Sequence, residues 1–81
     1  MQRNKFGDPQ PANFTEMIEA LDERNADASD VWASVDIGDD GGWYATVQHS
    51  DDGEHIFETV EYPGAKTELL KDLKTAGIEV I

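Results

Sequence analysis

The chain has 81 residues, no cysteine, eighteen Asp and Glu against six Lys and Arg, and a formal net charge of −12. A length of this order accommodates one domain around one core, and the lack of cysteine removes disulfides, thiolate metal sites and a cysteine nucleophile. The 38% apolar content lies above that of a disordered tail, so a folded unit is expected despite the charge.

No apolar run approaches the roughly 18–20 residues of a spanning helix, and residues 1–11 lack the apolar stretch of a secretory signal, which predicts a cytoplasmic protein away from membranes. The charge is unevenly placed. Between Asp8 and Glu61, fifteen carboxylates face the single cation Arg24, a balance of −14, whereas residues 62–81 set Lys66, Lys71 and Lys74 against Glu68, Asp72 and Glu79. Such a field repels nucleic acid and anionic membrane and steers toward basic partners.

Residues 1–12, with Pro9 and Pro11 in a polar stretch, read as a flexible arm with Phe6 as its anchor. Residues 13–81 read as a single α+β domain. Asn13 offers an N-cap with Glu16 three residues on, and Phe14, Met17, Ile18 and Leu21 follow at helical spacing, predicting a first helix over about 14–25. Val31, Ala33, Val35 and Ile37 alternate with Trp32, Ser34 and Asp36, as a half-buried strand requires. Gly38-Asp39-Asp40-Gly41-Gly42 is turn chemistry; a second strand over 43–49, a turn at Ser50-Asp51-Asp52-Gly53 and a third strand over about 54–62 complete a meander.

After Pro63-Gly64, the residues Ala65, Leu69, Leu70, Leu73 and Ala76 mark a second amphipathic helix, closed by Gly77. Residues 78–81 form a fourth strand, which a helical crossover places parallel to the third strand or to the first. The expected fold is two-layer, in the order α-β-β-β-α-β: a four-stranded, mostly antiparallel sheet with two helices on one face.

A two-residue turn at Asp52-Gly53 sets the second hairpin to pair His49 with Ile56, Val47 with Glu58, Ala45 with Val60 and Trp43 with Tyr62. The first hairpin pairs Ile37 with Trp43, Val35 with Ala45 and Ala33 with Val47. This register leaves Trp32, Tyr44 and Phe57 on a polar sheet face away from the helices, a composition suited to protein binding unless the arm folds back over Trp32 and Phe57. A homodimer through that face would hide the same side chains.

No catalytic arrangement is legible. Asp36, Asp40 and Gly41 fit three positions of an EF-hand loop, but Gly38 and Val47 occupy ligand positions and the loop joins strands. His49 and His55 fall on opposite sheet faces. Neither a Ser/His/Asp set, a phosphate loop nor an HExxH motif is present, so no enzyme, metal or cofactor is expected.

What remains is binding. In size, charge and lack of catalytic motifs the chain resembles small phage-encoded inhibitors, the anti-CRISPR proteins and DNA mimics. That resemblance implies an acidic inhibitor that occupies a basic surface of a protein, such as a member of a nucleic-acid-binding complex, without binding nucleic acid itself. The candidate charges are Glu16, Glu19, Asp22, Glu23, Asp39, Asp40, Asp51 and Asp52; the candidate anchors are Trp32, Tyr44 and Phe57. Two other readings use the same charges: an immunity or antitoxin-like protein that blocks a basic toxin site, and a salt-adapted domain of ordinary function.

Overall fold

Asn13 begins the first helix because its side chain accepts from the Glu16 backbone N–H at 3.0 Å while Glu16 Oε1 accepts from the Ala12 N–H at 2.9 Å. Two orphan donors at the helix start are thereby satisfied. The computed structural model describes residues 1–81, and this helix, α1, runs Phe14–Glu23. It stops short of the expected Asn25, which takes the left-handed conformation at φ 51°. The Ala26 N–H then bonds to Leu21 O and the Asn25 N–H to Asp22 O, the paired closure that satisfies carbonyls at a helix end.

A single 3₁₀ turn, Ala28–Asp30, leads into the strand Val31–Ile37, followed by the strands Trp43–His49 and His55–Glu58, the helix Lys66–Thr75 and the short strand Glu79–Val80. Before α1 lie two further strands, Gln2–Arg3 and Pro9–Gln10, paired as an antiparallel ribbon. In chain order the strands are β1 to β6, and the second helix is α2. Gly77, at φ 82°, closes α2 as expected, with its N–H on Lys74 O and the Ile78 N–H on Leu73 O.

The main sheet has the order β5-β4-β3-β6. It is mixed: the ladders of β4 are antiparallel, and β6 pairs with β3 in parallel, one of the two placements expected, with Trp32 opposite Glu79 and Ala33 opposite Val80. Of the two edges open to β6, the β5 edge is flanked by β2, and the Val60 N–H beyond β5 donates to Pro11 O at 3.1 Å. The free edge is that of β3. The ribbon is therefore both an element missing from the expected order and the reason the last strand crosses the whole sheet. Its anchors are Pro9 and Pro11, both fully buried, whereas Phe6 is 77% exposed and covers neither Trp32 nor Phe57.

The β3–β4 hairpin has the expected register throughout, with Ile37 opposite Trp43 and Ala33 opposite Val47. The β4–β5 ladder agrees only at its far end, where Trp43 bridges Tyr62. Thr46 pairs with Glu58 and Val47 with Phe57, and Gln48 with His55, so Ile56 is an extra residue at a bulge. The turn is accordingly a four-residue loop over 50–53, closed by the His49 N–H on Glu54 O and the Gly53 N–H on His49 O. A second extra residue lies between Thr59 and Tyr62. These two one-residue slips together separate the expected register from the observed one at the turn.

Energetics explain the slips. Ile56 and Phe57 are adjacent, so strict alternation would leave one of them in water; burying such a side chain stabilises by about 1.5–3 kcal/mol, against about 1 kcal/mol for a lost ladder bond. Both are buried, at 4% and 0% exposure. They join Met17, Leu21, Val47, Leu69 and Leu73 in one core to which both helices and the sheet contribute. Where the ladder is interrupted, the Thr59 side chain completes it: the Thr59 N–H donates to Ala45 O at 2.9 Å and Thr59 Oγ1 accepts from the Ala45 N–H at 3.0 Å.

Replacement of Thr59 by Val keeps the shape and orphans the buried Ala45 N–H. The expected loss is about 1–3 kcal/mol of unfolding free energy in urea titration, with the native circular dichroism spectrum retained.

Candidate functional site

The acids that the sequence offers do not form one patch. Asp39 and Asp40 stand in the β3–β4 loop and Asp51 and Asp52 in the β4–β5 loop, both pairs exposed. The seven-residue β4 separates the loops by about 20 Å. On α1, Glu19 and Asp22 are exposed and free of Lys or Arg. Glu16 is half-buried and committed to the cap, and Glu23 is paired with Arg3, whose guanidinium reaches its two carboxylate oxygens at 2.8 and 2.5 Å.

The C-terminal end of α1 and the β4–β5 loop meet around His49. Asp22, Asp27, Asp30 and His49 line an open hollow of about 420 Å3, and His49 Nδ1 lies 3.8 Å from Asp52 Oδ1. Asp27 and Asp30 were not among the sequence candidates. They flank the 3₁₀ turn that carries the chain from α1 to β3, and only that connection brings them beside Asp22. No group of three or more His, Cys, Asp or Glu side chains is arranged to hold a metal ion.

The three aromatic side chains expected on the open face do not all lie there. Phe57 lies opposite Val47 on the helix-facing side, fully buried, because the extra residue between Thr59 and Tyr62 has moved it by one position, and the bulge at Ile56 then admits that side chain to the core as well. It belongs to the core and cannot anchor a partner. Trp32 and Tyr44 remain on the open face, each half-buried, and the row through Trp32 and Gln48 ends in His55.

Asp8 ties the ribbon to the domain. It accepts from Arg24 of α1 and from Asn4 Nδ2 at 3.4 Å, and His55 Nδ1 of β5 lies 3.8 Å away. The hydrogen bond from Arg24 holds the Asp8 carboxyl below its usual range, and that from Arg3 does the same for Glu23. Both arginines in the protein are thus engaged in joining the ribbon to α1.

Phe57→Ala is expected to cost about 3–5 kcal/mol, as a cavity in the core does, whereas Trp32→Ala at the half-exposed face should cost far less; chemical denaturation of the two variants checks the difference. A folded-state carboxyl lowered below its unfolded value contributes stability that is present above about pH 4 and is lost as pH falls through the folded value. Asp8→Asn should therefore be less stable than the parent at pH 7, with the gap closing below pH 4 in paired urea titrations. No protein-family model, curated protein or solved structure matches this chain.

Proposed function

We propose that the protein is a non-catalytic inhibitor that occupies a basic surface on another protein, one that serves to bind nucleic acid, in the manner of DNA mimics and anti-CRISPR proteins. One observation carries this reading. Of eighteen Asp and Glu side chains only Asp8 and Glu23 pair with an arginine and none with a lysine, which leaves sixteen (18 − 2) without a Lys or Arg partner.

Unpaired carboxylates at this density cost stability through mutual repulsion, and a basic surface relieves that repulsion by the same attraction that draws it to phosphates. Exposed acids lie on α1 and in the loops at both ends of β4, while three of the four lysines, Lys66, Lys71 and Lys74, sit on α2. A surface adapted only to salt would have less reason to segregate its charge. Burial of Phe57 transfers the anchoring role on the open face to Trp32 and Tyr44.

The test is capture of the tagged protein's partners from host lysate at low and molar salt, followed by measurement of nucleic-acid binding by the recovered complex. Salt-released recovery, with nucleic-acid binding lost when the protein is added, is the expected result. The double charge reversal Glu19→Lys/Asp22→Lys should weaken the interaction at least about tenfold. Nucleic-acid binding unaffected by the protein would overturn the reading, and stability climbing steeply with molar KCl would favour the salt-adapted domain.

A further inference from the structure

The open sheet face is not flat. Two hollows of about 510 and 560 Å3 lie on it and adjoin at Glu58, which lines both, as the two halves of a groove. Its outer wall is the N-terminal ribbon, through Gln2 and Gln10 at one end and residues 4–6 at the other; Tyr44 lines it from the β4 side. The Phe6 end carries an exposed apolar side chain, at 77% exposure, whereas Ile37 at the other end alternates with Asp36 and belongs to the helix-facing side.

Phe6 is held in place although it buries little of its own surface. Asn4 Oδ1 accepts from the Phe6 and Asp8 N–H groups, each at 2.9 Å. Gly7 supplies the left-handed residue at φ 82°, and Arg3 Nη1 donates to Gly7 O at 3.1 Å. Arg24 then fixes Asp8, the next residue, to α1. A backbone fixed ahead of contact leaves only the side-chain torsions of Phe6 to be ordered on binding, which favours it as an anchor.

The charge along the groove is graded. Glu58 stands where the hollows join, and Asp39 and Glu61 line the Ile37 end, none of them paired with Lys or Arg. The Phe6 end carries Lys5 and His55, and its one other carboxylate, Asp8, is already engaged by Arg24. His55 and residues 58–61 line the hollows, with Ile56 and Phe57 between them turned into the core, and a stretch of this length spans at most roughly 20 Å, room for up to about six residues of extended chain.

We infer that this groove docks an extended basic segment of the partner, with an apolar residue against Phe6 and Lys or Arg over Glu58 and Glu61. The inference rests on the inhibitor reading and names the part of the partner that the open face takes. Nucleic acid is repelled by these carboxylates, and a second copy of a chain at −12 meets the same repulsion.

The probe is a fluorescein-labelled octapeptide of alternating Thr and Lys with Leu at each end, titrated at physiological salt beside the same peptide carrying Glu for Lys. Saturable binding of the basic peptide alone is expected, with backbone amide shifts concentrated at Phe6, Tyr44 and Glu58. Phe6→Ala and Glu58→Lys should each weaken it about tenfold or more. Glu68→Lys, the same charge change on exposed α2, should leave it within about twofold. Absence of saturable binding, equal damage from Glu68→Lys, or shifts confined to the helical layer would overturn the groove. A captured partner that survives Phe6→Ala and Glu58→Lys but is lost on reversal of Glu19 and Asp22 would overturn the groove and leave the inhibitor reading standing.

Discussion

Ile56 and Phe57 are neighbours in a strand that can present only alternate residues to a core, and both are apolar. A bulge resolves the conflict by admitting both, and much of the architecture around β5 accompanies it. The β4–β5 turn becomes a four-residue loop, and Thr59 completes the ladder with its side chain where the backbone no longer matches. With Phe57 inside, the open face loses its third aromatic side chain and gains a groove floored by Glu58 and Thr59.

The charge imposes a second constraint. A domain at −12 has few cations with which to neutralise itself, and both arginines serve the junction between the ribbon and α1. Attachment of the ribbon is therefore largely electrostatic at its outer end, through Arg3 and Asp8, and apolar at its inner end, through the buried Pro9 and Pro11. The remaining acids face solvent with little internal compensation. The lysines of α2 are separate from this system; Lys66 lies over the Trp43 ring, 5.0 Å from its centroid.

The elements whose pattern is self-contained were legible from sequence. The alternation of Val31 to Ile37 and the five-residue glycine loop set the β3–β4 register, because both sides of that hairpin obey one period. Asn13 with Glu16, and Gly77, marked helix ends through local hydrogen bonding. The β4–β5 register was not recovered because Asp52-Gly53 suggested the tightest turn, while the competing signal, two adjacent apolar residues in an alternating strand, appears only when core volume is weighed against ladder bonds. The ribbon escaped because its strands are two residues long and the second begins with proline. Exposure of the candidate acids could be read from their chemistry; the meeting of Asp22, Asp27 and Asp30 could not, since it depends on how α1 packs.

The two edges of the main sheet are protected differently. The β6 edge is two residues long and carries Glu79, so little unpaired backbone is offered and another copy is repelled. The β5 edge is longer and follows an apolar strand, and the ribbon lies along it. Stripped of residues 1–10, β5 would present an open edge next to Ile56 and Phe57, the combination that recruits foreign strands and seeds aggregation. The ribbon thus acts as a guard on the sheet, held there in part by its ion pairs to α1 and its C-cap.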